Sequence, residues 1–218
     1  MNMDYGNLTL GDPTGNLTVV IQAGGESKRM GRSKATVPFL GEPLIMRGVR
    51  RLLPIASEMI ITTNEPDALN FLPSFIKLQP DLIDVRGSIT GAYTALHAAN
   101  KEYVALVACD MVAPSPALLL AEKKALEENG TSVAIPHLSM GYEPFHAVYR
   151  KSTCEQSIDK IIGTDIKSMR AWLDNVDKTE FTKEMLKEID FRGGAFMNAN
   201  TPEELEIAEK WVRNREGL

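Results

Sequence analysis

The residues of this chain that could do chemistry begin close to its N-terminus. An apolar run, Leu17–Ile21, leads into Gln22-Ala23-Gly24-Gly25-Glu26-Ser27-Lys28-Arg29-Met30-Gly31-Arg32-Ser33-Lys34. Glycines let a backbone come close to a ligand and adopt positive φ. Successive free N–H groups in such a loop form a concave anion site. Arg29 and Lys34 can add full positive charge to it. The stretch reads as a strand that ends in a triphosphate cradle, and it also fits a glycine turn with solvated lysines. Two commoner glycine loops do not match. The dinucleotide fingerprint needs G-x-G-x-x-G, whereas Gly24 and Gly25 are adjacent. The P-loop needs four residues between its glycines and then Lys-Ser/Thr; here five separate Gly25 from Gly31, and Arg32-Ser33 follows.

Further along, Asp110 stands just past the most apolar run, Tyr103–Ala108, with Cys109 between. A carboxylate there can hold Mg2+, which prefers oxygen ligands and keeps several waters. It can equally serve as a turn or helix cap. Gly87-Ser88-Ile89-Thr90-Gly91 would let the backbone approach a base, or would simply open a helix. In Phe196-Met197-Asn198-Ala199-Asn200, alternation puts Asn198 and Asn200 on the same side of an extended chain. His97, His137 and His146 share no spacing with one another or with the cysteines, and each reads as structural. No Ser-His-Asp or Cys-His arrangement is present.

The order of these residues resembles the molybdenum cofactor guanylyltransferases, the MobA-like nucleotidyltransferases. The first loop matches their A-G-G-x-S-x-R-M-G-x-x-K, Cys109-Asp110-Met111 their C-D-M-P, and Gly87–Gly91 their G-P-L-A-G. Phe196–Leu205 matches F-x-N-x-N-T-P-E-E-L, and Glu143-Pro144 with Tyr149-Arg150 matches an E-P…Y-R segment on the acceptor side. Four positions depart from the pattern: Ser33 for aspartate, Thr62 for the first asparagine of N-x-N, Ser88 for proline and Val112 for proline. The resemblance spans about residues 18 to 210. It implies transfer of GMP from GTP to the terminal phosphate of molybdopterin or molybdenum cofactor, with Mg2+ and release of pyrophosphate. Arg29, Lys34 and Asp110 would be catalytic, with Asp110 on the metal. Gln22, Ala23, Gly24, Gly25, Lys34, Asn64, Asp81, Gly87, Gly91, Asp110, Asn198 and Asn200 would bind the nucleotide and cofactor. Ala23-Gly24-Gly25 leans towards guanine, since related cytidylyl and sugar-nucleotide transferases carry A-A-G. Transient contacts with other cofactor-biosynthesis or acceptor proteins are also implied. The competing readings are a CTP- or sugar-phosphate-specific transferase of the same fold, and a non-catalytic nucleotide or cofactor binder.

These residues need elements to hold them. Leu17–Gln22, Met59–Thr62, Phe75–Leu78 and Tyr103–Ala108 read as strands, nearly continuous in apolar residues as in a sheet covered on both faces. Helices are expected after Pro43, from Asn64 with Asn64 as its cap, after Gly87, and from Ser115 to Glu128. Alternation through about residue 130 argues a doubly wound, mostly parallel α/β sheet with helices on both faces, a Rossmann-like nucleotidyltransferase fold. Ligands then sit at the carboxyl ends of the strands, where the glycine loop, Asn64, Asp81 and Asp110 all fall. The rest is less regular: strands at Ser132–Pro136, Phe145–Tyr149, Thr179–Thr182 (an edge) and Phe196–Asn198, helices at Ser152–Ile162 and Ile166–Asn175, and a final helix opened by Thr201-Pro202-Glu203-Glu204.

The chain has 218 residues, 44% of them hydrophobic, enough for a buried core. We expect a loose tail over 1–16, free or folded back, then one domain over 17–218. Its nucleotide-binding part would be about 17–130 and its acceptor part about 131–218. A net charge of −5 speaks against a nucleic-acid surface. Cys109 and Cys154 offer no C-x-x-C pair and read as free buried thiols. No apolar run approaches a membrane span, and no secretory signal opens the chain. The expected location is the cytoplasm.

Overall fold

The computed structural model describes residue 5 and residues 7–24, 34–85, 87–190 and 193–217. Its centre is one sheet. The strands in chain order are β1 (Leu17–Gln22), β4 (Glu58–Thr62), β5 (Lys77–Gln79), β6 (Tyr103–Ala108), β7 (Val133–Leu138), β8 (Gly141–Tyr142), β9 (His146–Arg150) and β10 (Lys178–Phe181). A small antiparallel hairpin, β2 (Pro38–Phe39) and β3 (Glu42–Pro43), stands apart. Across the sheet the order is β10-β7-β9-β6-β1-β4-β5, with β8 paired on β7. β1 is parallel to both β4 and β6, and β4 to β5. β9 is antiparallel to β6 and β7, so the sheet is mixed but mostly parallel. Chain order reverses at β1 and β6, which makes their shared carboxyl edge the switch point where such sheets open a crevice.

The period-two alternation of strands divides the core. Val19 and Ile21 face one layer, built with α1 (Leu44–Leu52), α3 (Pro116–Asn129) and α6 (Lys183–Ile189). Val20, Ile60, Val104 and Leu106 face the other, built with α2 (Ser88–Ala98), α4 (Lys151–Asp159) and α5 (Met169–Leu173). A third cluster packs α7 (Pro202–Glu216) over Val37, Phe39, Leu44 and Val112.

Local chemistry sets the ends of these elements. Ser115 Oγ accepts the Leu118 N–H and Thr201 Oγ1 accepts the Glu204 N–H, as their cap positions predict. Glu204 reaches back to the Asn200 N–H at 2.6 Å. The expected helix from Asn64 is a single 3-10 turn, Pro66–Leu69, which Asn64 does not cap. The strand expected at Phe75 begins two residues later, and Phe196–Asn198 forms only one bridge, Asn198 to Met111. The β2–β3 hairpin and α6 have no counterpart in the sequence reading; both are short and weakly patterned. Residues 7–16 lie against the body: Gly11 N–H donates to Leu53 O at 3.0 Å and Asp12 N–H to Ala56 O at 3.3 Å. Tyr5 is buried beside Phe71.

Candidate active site

The ladders of β1 run past its last residue. Gln22 pairs with Thr62 on one side and Ala108 on the other. Beyond it, Ala23 N–H donates to Thr62 O at 2.9 Å and Cys109 N–H to Gln22 O at 3.0 Å. These bonds fix the exits of β1 and β6 side by side. Between them opens a cleft of about 370 Å3, lined by Gln22, Ala23, Gly24, Lys34, Gly87, Ser88, Ala108, Cys109, Asp110 and Phe145. Gly25 and Arg29 lie outside the described residues.

Lys34 opens a short 3-10 turn, Lys34–Thr36, and its ammonium returns to the cleft. Nζ lies 3.1 Å from Asp110 Oδ2 and 2.5 Å from Asn200 Oδ1. Both partners of the ion pair are only partly exposed, 27% for the lysine side chain and 18% for the aspartate. Three segments far apart in sequence therefore meet at one ammonium. The turn that carries Asp110 is held by the segment before α7: Ala199 N–H donates to Asp110 O and Val112 N–H to Met197 O, each at 3.0 Å.

Gln22 shares the face of Val20, and its carboxamide points at the first turn of α2. A Cβ on Gly91 would sit 1.5 Å from Gln22 Nε2, so glycine is what leaves room for that side chain. Gly87, at φ 140°, lets the head of α2 approach Lys167 O, which would lie 2.2 Å from any Cβ there. Ser88, where the resembling family has proline, accepts the Met169 N–H at 3.0 Å and ties α2 to α5. Val112, the other lost proline, donates an N–H that proline lacks.

The remaining candidates fall into two groups. Asn64 and Asp81 stand at the same sheet edge, after β4 and β5, and bond reciprocally: Asn64 Nδ2 donates to Asp81 Oδ2 at 2.8 Å and Asp81 N–H to Asn64 Oδ1 at 3.0 Å. Neither lines the cleft. Asn198 is exposed and, unlike Asn200, makes no bond to Lys34. Arg150 does not line the cleft. It ends the antiparallel β9, opposite Tyr103 at the far edge of the sheet, and its guanidinium is bound to Leu126 O and Thr131 O. Tyr149 is buried in the core with its hydroxyl on Pro144 O.

Cys109, Ser88 and Phe145 line the cleft without having been singled out for it. Cys109 is half-buried, and burial, with help from Asp110, pushes its thiol up to about 12, so it is no nucleophile at neutral pH. Among the described residues no group of three or more His, Cys, Asp or Glu side chains could hold a metal. Asp110 Oδ1 bonds to no described residue. One carboxylate beside an open cleft fits Mg2+, which completes its shell with water and substrate phosphates; it does not fit zinc.

Residues 19–179 match the MobA-like NTP transferase domain. A protein of Natranaerobius thermophilus described as a probable molybdenum cofactor guanylyltransferase is 30% identical over 93% of this chain and 100% of its own length. The molybdenum cofactor guanylyltransferase of Desulfosudis oleivorans is 30% identical over 90% of this chain and 96% of its own. Among solved structures, the molybdopterin-guanine dinucleotide biosynthesis protein A of Archaeoglobus fulgidus superposes with TM-score 0.78 at 25% identity, covering 90% of this chain and 99% of that one. The 4-diphosphocytidyl-2C-methyl-D-erythritol synthase of Anaerococcus prevotii shares the fold, with TM-score 0.66 at 12% identity, over 90% and 96% of the two chains.

Proposed function

We propose that this chain, which belongs to the family of MobA-like NTP transferase domains, transfers GMP from GTP to the terminal phosphate of molybdenum cofactor. An oxygen of the acceptor phosphate bonds to the α-phosphorus, the α–β bridge breaks, and pyrophosphate leaves. The acceptor phosphate is already anionic near neutral pH, so the reaction asks for no protein nucleophile and no general base. The protein's work is positioning and charge neutralisation.

The observation that carries this reading is the meeting of Lys34, Asp110 and Asn200 at the mouth of a cleft on the β1–β6 edge. Gly24 and its loop would offer backbone N–H groups to the triphosphate, with Arg29 adding charge. Lys34 would bind phosphate oxygens on the α-phosphoryl and leaving groups. Asp110 would hold Mg2+, which when bound would supply positive charge against the triphosphate. Asn200 would orient Lys34 and face the acceptor phosphate. Gln22, in the space that Gly91 leaves, and the head of α2 at Gly87 would meet the base. Asn64 and Asp81 would close the nucleotide side of the edge.

Among the described residues no helix is long and apolar enough to cross a membrane. The test is incubation with GTP or CTP, Mg2+ and molybdenum cofactor, followed by mass analysis. The expected product is the GMP adduct with one pyrophosphate per turnover. A CMP adduct formed in preference, or no adduct from either nucleotide, overturns the reading.

A further inference from the structure

His146 is outside the cleft, yet it stands where the two segments that build the cleft wall come together. It opens β9 and pairs with Val107 of β6, three residues before Asp110. Alternation turns its ring, like Val148, towards the layer containing α3. The ring is fully buried. Nε2 accepts the backbone N–H of Ser115 at 3.0 Å, so the ring proton sits on Nδ1, which has no partner among the described residues. A buried imidazole is costly to charge, and burial pushes this one down to about 4. It is a neutral acceptor throughout the physiological range.

Ser115 ends the 110–115 turn, between Pro114 and Pro116, which bring no N–H of their own. On the other side the His146 ring meets Phe196 edge-on, centroids 5.4 Å apart at 67°. Phe196 begins the 196–200 segment that bonds to Asp110 and Val112 and brings Asn200 to Lys34. One ring thus touches the end of one segment and the start of the other.

We propose that His146 is a positioning residue: by accepting the Ser115 N–H it fixes the 110–115 turn against the 196–200 segment, and so keeps Asp110 and Asn200 in register on Lys34. Without the acceptor, the buried Ser115 donor must seek another partner, and the turn shifts to find one. The effect on catalysis rests on the GMP-transfer reading; the effect on the two segments does not.

His146→Phe keeps a ring against Phe196 and removes the acceptor. His146→Gln places an amide oxygen where Nε2 stands and restores it. If the Phe variant does not fold, His146→Asn, whose amide stops short of Ser115, takes its place. Hydrogen exchange should show the Val112 and Ala199 amides losing protection about tenfold or more in the Phe variant, with Ile60 in β4 unchanged and the Gln variant close to native. In parallel kcat should fall about 10- to 100-fold, the cost of a ~1 Å misplacement, with KM for GTP unchanged and kcat recovered in the Gln variant. Native protection of Val112 and Ala199 in the Phe variant overturns the inference, as does equal damage in the Gln variant. Should the native protein transfer no GMP, the functional reading fails, and the exchange data alone decide the role of His146.

Discussion

Gly91→Ala separates nucleotide recognition from folding. Gly91 lies in the first turn of α2, and a Cβ there would stand 1.5 Å from Gln22 Nε2, 2.3 Å from Cδ and 2.8 Å from Oε1. Carbon contacts are comfortable near 3.5 Å, so the carboxamide must retreat by about 2 Å. It can do so, because it is the free end of a flexible side chain that bonds to no described residue. The backbone need not move. Alanine is also the better helix former, by up to about 1 kcal/mol. The variant should therefore be as stable as the native protein or slightly more so. The cost falls on the ligand. If the Gln22 amide makes two hydrogen bonds to the base, each worth about 1 kcal/mol net, their loss weakens GTP binding roughly 10- to 30-fold. Calorimetric titration with GTP and urea unfolding of the same sample measure the two effects. Gln22→Ala should reproduce the loss of affinity, and the double variant should be no worse than either single one, since both remove the same contact. Unchanged GTP affinity in Gly91→Ala would falsify the placement of the base beside Gln22.

Lys34→Ala should lower kcat by about 10²-fold, as for loss of one preorganised charge-stabilising donor, with the fold intact; an unchanged rate in a pyrophosphate-release assay would move the role to another cation of the loop. Asp110→Asn should abolish Mg2+-dependent turnover while GTP still binds, its affinity no longer rising with added Mg2+; turnover near the native rate would place the metal elsewhere. Glu122 is fully buried on α3 with neither carboxyl oxygen partnered, and burial raises its pKa far above that of an exposed carboxyl. The folded state then holds a proton that the unfolded chain releases above its ordinary pKa, so stability falls as pH rises through that window; Glu122→Leu should stabilise, and more at pH 8 than at pH 5 by urea unfolding. His146 has the opposite sense: its pKa is lowered from 6.5 to about 4, so the unfolded chain takes the proton first. Stability should drain by up to roughly 3 kcal/mol as pH falls across that interval, and a native-like pH slope in His146→Phe would refute the assignment.

What the sequence made legible follows from how local the signal is. β1 and β6 are apolar on both faces because helices cover both, and that composition is readable without knowing their neighbours. α3 and α7 carry their own start signals in Ser115-Pro116 and Thr201-Pro202, and the hydroxyls cap as those positions require. Asn64 shows where local reading stops. Its type suits a helix cap, but an aspartate 17 residues away at the end of the next strand offers two bonds where the cap offers one. Arg150 shows the same limit. Its sequence neighbours place it beside Glu143-Pro144, yet β9 runs antiparallel and carries it across the sheet to the opposite edge. Strand direction is a property of pairing and leaves no mark on a five-residue run. The departures at Ser88 and Val112 break the family pattern when the sequence is taken alone. Each makes a hydrogen bond that proline could not, Ser88 to the head of α5 and Val112 to the segment that delivers Asn200. Such compensation is invisible until both partners are seen. It also bears on function: the Val112 bond holds the turn from which Asp110 reaches Lys34, so the residue that breaks the family pattern helps to keep the cleft's two charged groups together.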